Sequence, residues 1–206
     1  MELWSLPRVP FVFLRHGETA WNLEGRLQGQ TDIPLNDTGR RQARAAAEML
    51  RGQPLSRVVH SPLGRTRETA ELAAGDRGLD FAVEPELGEC GFGAMEGFCA
   101  NRELPGWRAA WQGGAPLRDA AGQVVGDAES YQGFLARAER ALARLLLAGA
   151  PDEAPVLVVA HGGIYWAIQR ALDTGLKGDL PNCLPILHRP TAAGGWAVEA
   201  LGEPPR

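Results

Sequence analysis

The chain has 206 residues, 45% hydrophobic and 22% charged, with a net charge of −4. That length accommodates one domain with a full-sized core, and the acidic balance excludes the basic stripe that a nucleic-acid partner requires. Three cysteines without CxxC or Cys/His spacing read as reduced thiols, not as a metal site or a disulfide framework. No apolar run is long enough to span a bilayer, and no signal-peptide order is present. The expectation is a soluble, cytoplasmic protein with no membrane partner and no nucleic-acid partner.

The pattern predicts a first strand over Val9–Leu14, then a long loop from Gly17 to Pro34. Asn36 or Asp37 caps a helix ending before Gly52 and Pro54. Arg57–His60 reads as a short strand. Ser61-Pro62 is expected to cap a helix running to about Ala74, with Pro near its first position. Asp80–Glu84 is a third strand, and Leu87–Gly97 is Gly-rich and irregular. Leu104, Trp107 and Trp111 give residues 101–112 helical spacing, interrupted by Pro105-Gly106. A loop follows over Gly113–Gly126. Glu129–Ala148 is an amphipathic helix with Phe134, Leu135, Ala138, Leu142, Leu145 and Leu146 on one face. Pro155–Ala160 is continuously apolar, as in a strand buried on both faces. His161-Gly162-Gly163 opens a helix to about Leu172, and Cys183–His188 and Trp196–Leu201 give two more strands. Strands alternating with helices imply an α/β fold, a three-layer α/β/α sandwich with a mostly parallel central sheet.

Three predicted strands end on charged or polar residues: Arg15-His16-Gly17, His60-Ser61-Pro62 followed by Arg65, and His161-Gly162-Gly163. Ligands of open α/β sheets bind beyond such carboxyl ends. Two histidines and two arginines gathered there call for an anion, and Gly17 leaves room for a sharp turn and a close ligand. Helix N-termini after Ser61 and Gly162 would add oriented N–H groups. The chemistry this permits is phosphoryl transfer, with His16 as nucleophile. Arg15 and Arg65 would grip the phosphoryl oxygens and His161 would stabilise the spreading charge. Glu89 in its glycine loop would give the leaving alkoxide its proton. Taken singly, each residue has a plainer reading: His161 as a hydrogen-bonded strand-end histidine, Arg65 as a solvated helix charge paired with Glu68 or Glu71, Glu89 as a surface acid. His60 and His188 are read as structural. Trp107, Trp111 and Trp166 either line an apolar pocket for the alcohol part of a substrate or fill the core.

Taken together these motifs resemble the histidine phosphatase superfamily, in its phosphoglycerate mutase-like branch. The residues that carry the resemblance are Arg15 through Asn22, Gly25-Arg26-Leu27-Gln28-Gly29, Pro34-Leu35 through Ala43, Ser61 through Ala70, Glu89 through Gly97, and His161-Gly162-Gly163. The resemblance implies a phosphohistidine at His16 and a phosphate pocket completed by Arg15, Arg65 and His161. It also implies Glu89 as proton donor and then as base for water, and no metal or other cofactor. Asn22, Gln28 and Gly29 match positions at the substrate end of the pocket, and Gly162 joins them as a binding residue. The chain departs from the family pattern at Met95, Gly91 and Tyr165-Trp166, which bears on substrate choice.

Residues 1–206 are expected to form one such domain, with 98–132 as a lid or insert. That segment holds Arg102, Arg108 and Arg118 but no paired basic motif of the kind the true mutases carry. Asp127-Ala128-Glu129-Ser130 looks instead like the Gly-Glu-Ser approach of the phosphatases. The expected function is therefore hydrolysis of a small phosphorylated metabolite. The alternatives are a mutase and a non-catalytic phospho-ligand binder. Monomer and homodimer are both open.

Overall fold

This computed structural model describes residues 4, 6–103, 106–119, 121–125, 127–149, 154–172, 174 and 178–205, with the backbone alone at 100 and 101. Leu104, Pro105 and Gly126 of the expected helix and loop lie outside the described residues. Six strands form one sheet: β1 (Phe11–Arg15), β2 (Val58–His60), β3 (Phe81–Val83), β4 (Val156–Ala160), β5 (Ile186–Pro190) and β6 (Trp196–Ala200). Their order is β3-β2-β4-β1-β5-β6. The first four run parallel, with Arg15 level with Ala160 and His60 level with Val159. The last two are antiparallel additions at one edge. The three strand ends singled out in the sequence thus lie side by side, with β4 in the middle.

Period-two alternation sorts the strand side chains onto two faces. Phe11, Phe13, Val156 and Val158 join one core with α6 (Tyr131–Leu147) and α7 (Gly162–Leu172). Val12, Leu14, Leu157 and Val159 join the other with α2 (Asp37–Leu50) and α3 (Gly64–Ala74). This is the α/β/α sandwich the alternation of elements implied. The continuous apolar strands are its cause, since each needs cover on both faces.

Several boundaries differ from expectation. β1 extends to Arg15, whose guanidinium emerges just as the strand ends. The loop after Gly17 contains a short helix, α1 (Ala20–Leu23), where Thr19 and Asn22 cap each other reciprocally. α2 starts as expected, with the Asn36 side chain accepting from the Gly39 amide at 2.8 Å. The described residues of this stretch hold two helices, α4 (Ala100–Glu103) and α5 (Trp107–Gln112), with Gly106 in the left-handed region at φ 75°. Ser61-Pro62 does not cap α3, which begins at Gly64 after an uncapped Leu63.

His188 is structural, as read. It sits on β5 opposite Phe11 of β1, and the rings stack at 4.3 Å and 2°. Burial pushes its pKa down to about 4. Unfolded, the ring takes up a proton below about pH 6.5; folded, it resists down to about 4. The unfolded chain therefore binds more protons in that window, and stability falls as pH drops through it, by about 3 kcal/mol in full for this residue. His188→Phe keeps the stack and removes the titration. Urea midpoints should fall less between pH 7 and pH 4.5 in this variant than in the wild type. Parallel curves would place the acid sensitivity elsewhere.

Candidate active site

Beyond the ends of β1, β2 and β4 lies a cavity of about 180 Å³. Its walls include Arg15, His16, Asn22, Gln28, Gly29, Arg65, Glu89 and Gly162. Every sequence-predicted site residue except His161 is among them, and His161 packs edge-on against His16 with ring centres 5.2 Å apart.

His16 is buried, and its Nδ1 lies 2.7 Å from the Gly17 carbonyl. A carbonyl only accepts, so Nδ1 carries the proton and Nε2 keeps its lone pair. Burial, then Arg65, then Arg15 hold this imidazole well below its ordinary pKa. It is a neutral ring with a free Nε2, the form a nucleophile requires. The turn at Gly17 is tight for a reason other than ligand approach: a Cβ there would meet the Gly39 carbonyl oxygen at 2.5 Å. Thr69 receives the Gly17 amide at 3.0 Å, and Asn182 donates to the His16 carbonyl at 2.7 Å.

His161 is also held well below its ordinary pKa, by burial, then by Arg65, His16 and Arg15. Its tautomer follows from a chain of hydroxyls. Thr66 has one proton to give and two carbonyls that only accept, Leu63 at 2.7 Å and Ser61 at 2.9 Å. Thr66 therefore accepts from the Ser61 hydroxyl at 2.9 Å, and Ser61 accepts from His161 Nε2 at 2.7 Å. The proton of the neutral ring stays on Nε2, and Nδ1 has no partner among the described residues. Ser61, expected as a helix cap, orients this histidine instead.

Arg65 is not a solvated helix charge. Its side chain is fully buried and donates to the Gly29 carbonyl at 2.7 Å and the Thr31 carbonyl at 2.8 Å. The Glu96 carboxylate fixes that acceptor loop by taking the Gln30 and Thr31 amides at 3.0 and 2.8 Å. Arg15 donates to the Leu180 carbonyl at 2.6 Å. Among the described residues, both guanidiniums keep Nε buried without a partner. An unmade bond of this kind costs about 1–3 kcal/mol. The first amides of α3, expected to help hold an anion, are taken by Asp32: Gly64 at 2.7 Å and Arg65 at 3.5 Å.

Glu89 is half-buried at the cavity wall. Its carboxylate accepts from the Cys90 amide at 2.9 Å and the Gly163 amide at 3.0 Å, which sets it on the N-terminus of α7. Gly163 must be glycine for this, since a Cβ would lie 2.2 Å from Glu89 Oε1. Arg137 of α6 braces the same loop, donating to the carbonyls of Glu86, Gly88 and Glu89 at 2.7, 2.8 and 3.2 Å and pairing with Glu129 at 2.7 Å. The sequence reading did not single out Arg137; nothing in a helical arginine's spacing says which loop it reaches. Asn22 and Gln28 line the cavity with one side-chain oxygen each already on Thr19. Among the described residues no group of three His, Cys, Asp or Glu side chains is placed to hold a metal ion.

The family model of the histidine phosphatase superfamily (branch 1) matches residues 11–191, and the chain belongs to that family. It is 34% identical over 202 residues to a protein named "Probable phosphoglycerate mutase GpmB" from Enterobacter sp. (strain 638), covering 92% of this chain and 91% of that one. It is similar to the mycobacterial glucosyl-3-phosphoglycerate phosphatase solved with VO3, at 31% identity and TM-score 0.74, over 93% of this chain and 98% of the other. It is also similar to a protein from Thermus thermophilus, TTHB049, at 34% identity and TM-score 0.67, over 87% of this chain and 92% of the other. The names of these relatives include both a mutase and a phosphatase. The relationship makes the protein an enzyme-family member of phosphoryl chemistry without choosing between hydrolysis and transfer. No helix among the described residues is long and apolar enough to cross a membrane.

Proposed function

We propose that the protein hydrolyses a small phosphomonoester through a phosphohistidine on His16. The observation that carries this reading is the cluster of unpartnered buried nitrogens, Arg15 Nε, Arg65 Nε and His161 Nδ1, around a neutral His16. A phosphate ester arriving as the monoanion would accept from both Nε–H groups and donate its P–OH to His161 Nδ1. His16 Nε2 attacks phosphorus as the ester P–O bond breaks, and Glu89 gives its proton to the departing oxygen. Arg15 and Arg65 hold the equatorial oxygens, and His161, taking the P–OH proton of the substrate monoanion on Nδ1, becomes a charged donor to that oxygen. Water then attacks the phosphohistidine, Glu89 takes its proton, and the P–N bond breaks. No step asks for a metal or other cofactor. Asn22, Gln28, Gly29 and Gly162 shape the end nearest the alcohol, and residues 98–132 act as the lid over it.

Hydrolysis is favoured over mutase chemistry by the rest of the wall. A mutase must hold a second phosphate and a carboxylate. The two further arginines lining this cavity already have partners: Arg26 pairs with Glu24 and donates to the Gly97 carbonyl, and Arg108 pairs with Asp179 at 3.6 Å. With 3-phosphoglycerate and a panel of phosphomonoesters in EDTA, phosphate release should outrun any formation of 2-phosphoglycerate. Isomer appearing faster than phosphate would make the protein a mutase, and neither product from any ester would leave a phospho-ligand binder.

A further inference from the structure

We infer that the alcohol carried by the substrate is uncharged and aromatic, an inference that rests on the hydrolase reading of the same site. Away from His16 the cavity wall changes character, to Leu27, Phe92, Trp107, Trp111, Phe134 and Trp166. The rings pack into a continuous arc. Trp107 meets Phe92 edge-on at 5.3 Å, Phe92 meets Trp111 at 6.3 Å, and Trp111 meets Phe134 at 5.9 Å. Tyr131 links Trp111 to Trp166 at 5.1 and 5.7 Å. Trp111 is fixed by its indole N–H on the Glu129 carbonyl at 2.9 Å, so the centre of the arc cannot turn away. Trp107 and Trp166 are half-buried at its two ends, and both line the cavity.

Charge narrows the choice further. An anionic alcohol such as a glycerate would meet Asp179 on the wall, and would have to break Arg108 from Asp179 or Arg26 from Glu24 to find a cation. A cationic alcohol would suit an open aromatic cage, but guanidiniums already lie over two of these rings: Arg108 is 5.5 Å from the Trp107 centroid and Arg170 is 5.4 Å from that of Trp166. A neutral ring stacks in offset or edge-on geometry and displaces no ion pair.

The test compares esters whose alcohols leave equally poorly, so that chemistry does not mask binding: 2-phenylethyl phosphate, n-propyl phosphate, 3-phosphoglycerate and phosphocholine. The phenylethyl ester should lead in kcat/KM by about 10-fold or more, the scale of one stacked ring. Trp107→Ala and Trp166→Ala should each bring the ratio of kcat/KM for the phenylethyl ester over the propyl ester most of the way to one. Equal rates, a lead for the glycerate or the choline ester, or a lead that survives both substitutions would overturn the inference. The hydrolase reading fails separately, if no ester is cleaved. The wall is then judged in the wild type by calorimetric titration with 2-phenylethylphosphonate and n-propylphosphonate, which cannot be turned over. Tighter binding of the phenylethyl compound by about 10-fold supports the inference, and equal binding ends it. The same titration decides the matter if a tryptophan variant does not fold.

Discussion

Replacing His16 with Ala should lower turnover of every phosphomonoester on the order of 10⁴-fold or more, the scale seen when a covalent nucleophile is deleted. The geometry says why nothing substitutes for it. His161 keeps its Nε2 proton on the Ser61–Thr66 chain, and its Nδ1, protonated once the anion is bound, has no lone pair with which to attack. The anion site itself survives the substitution, because Arg15 and Arg65 are positioned by Leu180, Gly29 and Thr31. Inorganic phosphate should therefore still bind His16→Ala within about 10-fold of wild type, since the lost group contributes at most one neutral contact. Retained binding with lost turnover separates a missing nucleophile from a collapsed fold. Turnover within an order of magnitude of wild type would remove His16 from the chemistry.

Glu89→Gln should divide substrates by leaving group. The amide keeps the size of the carboxylate and has no proton to give. With 2-phenylethyl phosphate, formation of the phosphoenzyme should slow by about 10²–10⁴-fold. With p-nitrophenyl phosphate, whose leaving group needs little protonation, the first step should change by less than about 10-fold. Water attack still lacks its base, so p-nitrophenol should appear as a burst near one equivalent per active site, followed by a slow steady state. Stopped-flow absorbance reads both phases. Equal slowing of the first step on both esters would show that Glu89 acts only by holding the N-terminus of α7.

The legible parts of this protein were those written in neighbouring residues. Phe11-Val12-Phe13-Leu14 is apolar on both faces, so it had to be covered on both, and the polar residues that interrupt such runs fell at strand ends. Parallel neighbours then brought His16, Ser61 and His161 together. The parts that were not legible depend on contacts distant in sequence. Asp32 takes the amides of α3 from a loop more than thirty residues away, which left no anion role for that helix end. Arg137 reaches the Glu89 loop across about fifty residues, and Asn182 reaches His16 across more than 160. The aromatic arc joins α5 to α7, so Trp107 and Trp166 share a wall that no local spacing could reveal. Gly17 shows the limit of reading one residue alone. Its missing side chain admits the backbone of Gly39, not a ligand.

The covalent intermediate is the central claim, and trapping it is the most direct test. Enzyme mixed with ³²P-labelled p-nitrophenyl phosphate and quenched in base within milliseconds should carry label that is stable to alkali, lost in acid, and confined to the peptide containing His16. His16→Ala should carry none. Phosphate release from wild type with no trapped label under conditions of slowed water attack, as in Glu89→Gln, or label on any other residue, would contradict the account.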